Sequence, residues 1–198
     1  MKNLTILISG KQGSGKTTLA ESLCNSINVV MNERNIRAQH HSFAQPLYKM
    51  HHLVLEQMSL LGFETPTKDG KLLQLLGTEW GRATYGEDVW VKAAKNKIAK
   101  TMEYASKLDG FIAVISDCRF KSELFGFPDA LTVRLECPAE IRRERIEKTP
   151  GQSWREDESH PSETELDDAE FDLTYQTDTV ATPTIVGNLL PVILRRFE

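Results

Sequence analysis

The eight residues Gly10-Lys11-Gln12-Gly13-Ser14-Gly15-Lys16-Thr17 constrain the fold more than any other stretch of the chain. They match G-x-x-x-x-G-K-[ST] and stand between an apolar run at 4–8 and a helix-forming stretch at 16–34. A strand that turns through glycines directly into a helix makes a phosphate cradle. The glycines let successive backbone N–H groups face inward, and the helix N-terminus adds partial positive charge. Lys16 is placed to reach β- and γ-phosphates, and the Thr17 hydroxyl to ligate Mg²⁺. The ATP-binding set expected from this loop is Lys11, Gly13, Ser14, Gly15, Lys16, Thr17 and Thr18.

Around the loop, strands are predicted at 4–8, 36–43, 111–115, 131–136 and 172–175. Helices are predicted at 16–34, 47–61, 71–85, 91–107, 141–148 and 185–197. This alternation implies an α/β three-layer sandwich, with a central parallel sheet and helices on both faces. Such sheets bind ligands at the carboxyl ends of their strands. The 198 residues suit one domain spanning 1–198. Within it, a helical region at about 44–90 is expected to bind substrate. Residues 150–168 are polar and acidic with few apolar side chains, so they are expected to be exposed and mobile, within a lid at about 142–165.

Composition narrows the function classes. Hydrophobic residues at 40% and charged residues at 26% give an ordinary globular profile. A net charge of −4 argues against a nucleic-acid binder, which carries a basic field. Cys24, Cys118 and Cys137 have neither paired nor metal-like spacing, so a reducing compartment fits. The N-terminal apolar run is too short for a signal peptide, and no stretch approaches the roughly 20 apolar residues that span a bilayer. A cytoplasmic protein without a membrane partner is expected.

Three further groups carry chemistry. Ser116-Asp117-Cys118-Arg119 closes the 111–115 strand beside the glycine loop. Asp117 there can hold Mg²⁺ through water or contact an acceptor, and Arg119 can bind a phosphate bidentately. Polar capping of a strand end is the plainer alternative. Gly77-Thr78-Glu79-Trp80-Gly81-Arg82 precedes Asp88-Val89-Trp90. Arg82 could bind an acceptor phosphate, while Trp80 and Trp90 either border a base or pack in the core. Arg142, Arg143 and Arg145, with Arg155 beyond, are lid arginines that neutralise charge during phosphoryl transfer, or else a solvated face paired with Glu144 and Glu147. The histidines show no metal spacing.

The chain resembles the phage-type deoxynucleoside monophosphate kinases of the P-loop nucleoside monophosphate kinase group. The likeness rests on residues 10–17, Phe43-Ala44-Gln45-Pro46-Leu47, the Leu73-to-Arg82 block, Asp88-Val89-Trp90, Ser116-to-Phe120 and His160-Pro161-Ser162-Glu163. Gln45 departs from it, because an acidic residue is expected there. The resemblance implies transfer of the γ-phosphate of ATP, with Mg²⁺, to a deoxynucleoside 5′-monophosphate. It assigns catalysis to Lys16, Asp117, Arg119, Arg142 and Arg145, and metal binding to Thr17 and Asp117. Substrate binding falls to Phe43, Lys49, Glu79, Trp80, Arg82, Asp88, Trp90 and Arg119. A phage-encoded enzyme would work in the host cytoplasm, and a homodimer stays open. The rivals are a kinase for a nucleoside or a hydroxymethylated base in DNA, and a nucleotide-binding ATPase.

Overall fold

The computed structural model describes residues 2–150, 154 and 159–197. Five parallel strands, β1 (Lys2–Ser9), β2 (Ile36–His41), β3 (Gly110–Cys118), β4 (Leu131–Glu136) and β5 (Leu173–Gln176), form one sheet in the order β2-β3-β1-β4-β5. β1 is central, with Ile6 opposite Val114 of β3 and Ile8 opposite Val133 of β4. A strand buried on both faces must be apolar almost throughout, which is why 4–8 reads as a continuous run.

Side-chain alternation divides the core into two layers. Leu4, Ile6, Ile8, Ile112 and Val114 meet Leu19, Leu23 and Ile27 of α1 (Lys16–Val30) and Ile185, Leu189 and Ile193 of α9 (Thr182–Arg195). Leu7, Phe111, Ala113 and Ile115 meet Trp90, Val91, Ala94 and Ile98 of α5 (Val89–Tyr104) on the other face. The predicted sandwich is the observed one.

Differences from the expected elements have local causes. β2 stops at His41, because the Phe43 amide turns away to bond Asp117. α2 (Gln45–Leu60) starts with Pro46 in its first turn, where a missing N–H costs nothing. The single helix expected at 71–85 is three pieces: α3 (Gly70–Gln74), a π-helix (Leu75–Arg82) and α4 (Ala83–Tyr85). The wider π turn frees the Gly77 carbonyl, which accepts from Trp90 Nε1 at 3.0 Å. Gly81 admits the same indole, since a Cβ there would lie 2.4 Å from Trp90 Cζ2.

Two short helices were not expected, α6 (Lys121–Phe125) and α8 (Pro161–Thr164), and between β4 and α8 lies α7 (Ala139–Glu147). The exposure expected across 150–168 does not extend to its end. Glu163 and Leu166 are buried, Leu166 in the α5-side core and Glu163 against charged partners. The expected lid arginine Arg155 lies outside the described residues. Among the described residues, no helix is long and apolar enough to cross a membrane, and no group of three or more His, Cys, Asp or Glu is placed to hold a metal ion.

Candidate active site

The loop between β1 and α1 wraps around its own lysine. Gly10, Gly13 and Gly15 all take positive φ, which L side chains rarely adopt. At Gly10 space forbids a side chain as well, because a Cβ would sit 2.4 Å from the Leu135 carbonyl oxygen and 2.6 Å from Ser14 Oγ. Lys16 Nζ donates to the carbonyl oxygens of Gly10 at 2.6 Å and Lys11 at 2.7 Å. Burial, reinforced by Arg119, drives its pKa down to about 7, against the opposing pull of Glu163 and Asp117. The Ser14 hydroxyl is buried and has no hydrogen-bond partner among the described residues. A buried ammonium and an unpartnered hydroxyl on one glycine loop suit an anion.

The loop is braced from outside. Gln12 donates its amide to Glu163 Oε2 at 2.9 Å, and its carbonyl accepts from Arg142 Nη1 at 3.1 Å. Arg145 binds Thr177, donating to its hydroxyl at 3.2 Å and its carbonyl at 2.5 Å. The Thr177 hydroxyl in turn donates to the Ser14 carbonyl at 3.1 Å. Lys11 pairs with Asp167 at 3.0 Å. Arg142 and Arg145 therefore act on the loop from α7, and their guanidinium groups are engaged in holding it rather than standing out on a lid.

β3 ends alongside the loop because it neighbours β1. Asp117 Oδ1 accepts the Phe43 amide at 2.8 Å, and Oδ2 accepts the Ser42 hydroxyl at 2.6 Å and the Ala44 amide at 2.9 Å. The carboxylate thus anchors the β2–α2 turn to the strand end. Each carboxylate oxygen has two lone pairs, so Oδ1 keeps one unused. Thr17 and Asp117 supply hard oxygen donors, which suit Mg²⁺ carried in by nucleotide phosphates with most of its water retained.

Arg119 Nη1 donates to Glu163 Oε1 in a close ion pair, and to the Ser162 carbonyl at 3.3 Å. Its amide donates to Glu123 Oε2 at 2.8 Å, as does that of Phe120 at 3.1 Å. Burial, with Asp117 nearby, pushes the Glu123 carboxyl up to about 7, against the pull of these amides and of Arg82.

Several expected substrate residues are engaged in contacts of their own. Arg82 is 7% exposed, its guanidinium held by Glu123 at 3.1 Å and the Glu87 carbonyl at 2.9 Å, with the Phe120 ring 4.0 Å away. Glu123 links it to Arg119, whose backbone amide donates to the other carboxylate oxygen. Trp90 and Phe43 are core residues. Asp88 pairs with Lys92 at 3.0 Å, while Glu79 and Lys49 are exposed. Trp80 is 42% exposed and lines an open apolar groove of about 520 Å³ with Met50, Leu53, Val54, Leu75 and Leu76.

Sequence reasoning missed Glu123, Glu163 and Lys97. Glu163 stood in a motif but had no expected partner. Lys97 Nζ donates to the Gln45 amide oxygen, so a lysine faces the position where the resemblance expects an acid. Burial and the charge of Lys49 hold Lys97 below the usual lysine range.

Comparison with known proteins agrees with this architecture. Among solved structures, the chain is similar to the tunicamycin resistance protein of Deinococcus radiodurans (15% identity, TM-score 0.53, covering 97% of this chain and 96% of that one). It is also similar to shikimate kinase from Aquifex aeolicus (16%, 0.51, 96% and 96%) and from Bacteroides thetaiotaomicron (12%, 0.50, 96% and 98%). At these identities the likeness establishes the P-loop kinase fold. No curated protein sequence matches. The family model described as AAA domain matches residues 6–165, which hold the glycine loop, the Asp117–Arg119 strand end and Glu163, and the chain belongs to that family.

Proposed function

We propose that the protein is an ATP-dependent phosphotransferase whose acceptor is a deoxynucleoside 5′-monophosphate. The observation that carries the kinase reading is the juxtaposition of the Lys16 loop with the Asp117–Arg119 end of β3. The terminal phosphoryl of ATP would pass to an oxygen of the acceptor phosphate, giving ADP and the nucleoside diphosphate. An acceptor phosphate is already anionic near neutral pH, so positioning and charge neutralisation suffice, and no strong base is needed. Asp117 is compatible with that role, since three donors of the Ser42–Ala44 turn hold its carboxylate in place and one lone pair of Oδ1 stays open to the magnesium.

Lys16 and the loop amides would hold the donor phosphates, and Arg119 would meet the transferred phosphoryl at the end of β3. Thr17 and Asp117 would hold the magnesium that accompanies ATP and offsets charge on its phosphates. The acceptor monophosphate is supported by the resemblance of the Gly77–Arg82 and His160–Glu163 blocks. Trp80 lines the apolar groove, which would admit a planar base. The deciding assay incubates the protein with ATP and Mg²⁺ and follows ADP formation with nucleosides, each deoxynucleoside monophosphate, ribonucleotides, shikimate or DNA as acceptor. Acceptor-dependent ADP formation with deoxynucleoside monophosphates supports the reading. Turnover with a hydroxyl acceptor only, or without any acceptor, overturns it.

A further inference from the structure

We infer that Glu163 is a positioning residue for phosphoryl transfer, one that sets the Arg119 guanidinium and the Gln12 peptide of the glycine loop in a single arrangement. The inference rests on the kinase reading for its catalytic consequence and on geometry for the rest. Glu163 is 6% exposed and lies in α8, far along the chain from the residues it binds. Its two oxygens are divided between them, Oε2 accepting the Gln12 amide and Oε1 the Arg119 guanidinium.

A buried carboxylate is costly unless its partners compensate it. Burial pulls the Glu163 carboxyl up, yet Arg119, the Gln12 amide and Lys16 together outweigh it and hold it below the usual carboxylate range. The charge is therefore kept, and kept between the donor loop and the strand-end arginine. The same loop peptide is held on its carbonyl side by Arg142, so Gln12 has little freedom to rotate. Arg119 is fixed at both ends as well, its amide by Glu123 and its guanidinium by Glu163. An arginine aimed in advance spends less side-chain entropy when the transition-state charge develops, and a small misplacement in such a site is expensive.

Glu163 does not itself face the nucleotide in this scheme. Its effect runs through Arg119, which gives the idea a test that a purely structural role would fail. The variants are Glu163→Gln, Glu163→Asp, Arg119→Ala and the Arg119→Ala/Glu163→Gln double, each checked for its thermal midpoint. Glu163→Gln keeps an oxygen for the Gln12 amide but loses the charge. We expect it to lower kcat about 10- to 100-fold with the KM for ATP changed less than about threefold, because the contact is realised in the transition state. Glu163→Asp should recover part of that loss. In the Arg119→Ala background the same substitution should cost less than about threefold, since both act through one group. A full-sized effect in that background, or an unchanged kcat in the single variant, overturns the inference. A second readout needs no turnover: the ¹⁵N side-chain signal of Arg119, identified by its loss in Arg119→Ala. It should be protected from solvent exchange in the wild-type protein and lose that protection in Glu163→Gln. Equal protection in the two refutes the positioning role. Failure of every acceptor in the wild-type assay would instead refute the kinase reading and leave the exchange measurement to judge Glu163.

Discussion

Lys16 turns its ammonium back on the loop that carries it, donating to the Gly10 carbonyl oxygen at 2.6 Å. The loop carbonyls and the nucleotide phosphates compete for one group, and the burial that lowers its pKa to about 7 is the cost of having it ready.

Nucleotide binding should therefore take up a proton. With a pKa of about 7, Lys16 is roughly nine-tenths neutral at pH 8 in the free protein, whereas triphosphate oxygens favour the charged form. Calorimetric titration of a non-hydrolysable ATP analogue at pH 8, in buffers of different ionisation enthalpy, should report uptake approaching one proton. Uptake should shrink by pH 6, where Lys16 is already charged. Release of protons, or none exchanged at pH 8, would contradict the placement of Lys16.

Removing that charge should stabilise the free protein while ending transfer. The unfolded lysine titrates near 10.5 and the folded one near 7. Between those values the unfolded chain binds the extra proton, so stability rises with pH across the window and is lowest below pH 7. Lys16→Met should thus be roughly 1–2 kcal/mol more stable than wild type at pH 6, the scale of a relieved functional-site strain. The advantage should narrow by pH 10. Thermal melts at the two pH values measure it, and a variant less stable at pH 6 would refute it.

Asp117→Asn tests a carboxylate that anchors a turn. Three donors, the Ser42 hydroxyl and the Phe43 and Ala44 amides, converge on its two oxygens. An amide nitrogen in place of one oxygen faces a donor, which costs about 1–3 kcal/mol. Thermal midpoint and kcat should fall together. A large loss of kcat with an unchanged midpoint would mean that catalysis alone uses this carboxylate.

The Arg82–Glu123 pair should behave as structure. Both side chains are buried, so removing Arg82 leaves Glu123 with only backbone amide partners and a cavity where the guanidinium lay against Phe120. Arg82→Ala should cost about 3–5 kcal/mol, and Arg82→Met combined with Glu123→Gln less than either change summed. If Arg82→Ala keeps wild-type stability and weakens only the monophosphate, Arg82 belongs to the acceptor site.

The glycine loop was legible because its chemistry is local. A strand, three glycines at positive φ, a lysine and a helix start are all set by neighbours in the chain, so spacing alone carries them. The inner strands of the sheet were legible for a similar reason: β1, β3 and β4 fall where the apolar runs do, while the edge strands β2 and β5 are more polar. Arg82 and Trp90 were not, since an arginine beside glycines reads the same whether it meets a phosphate or Glu123. Only packing decides, and here the π-helix turns Gly77 and Gly81 toward the Trp90 indole, while Arg82 is drawn onto Phe120 and Glu123. Glu163 is the extreme case. Nothing near it in the chain names its partners, because Gln12 and Arg119 reach it only once β3 lies against β1 and α8 folds over both. The sequence by itself determined where the glycine loop and its lysine lie. The tertiary structure decided which charged side chains remain for the reaction and which hold the others in place, because burial makes every unpaired charge too costly to leave alone.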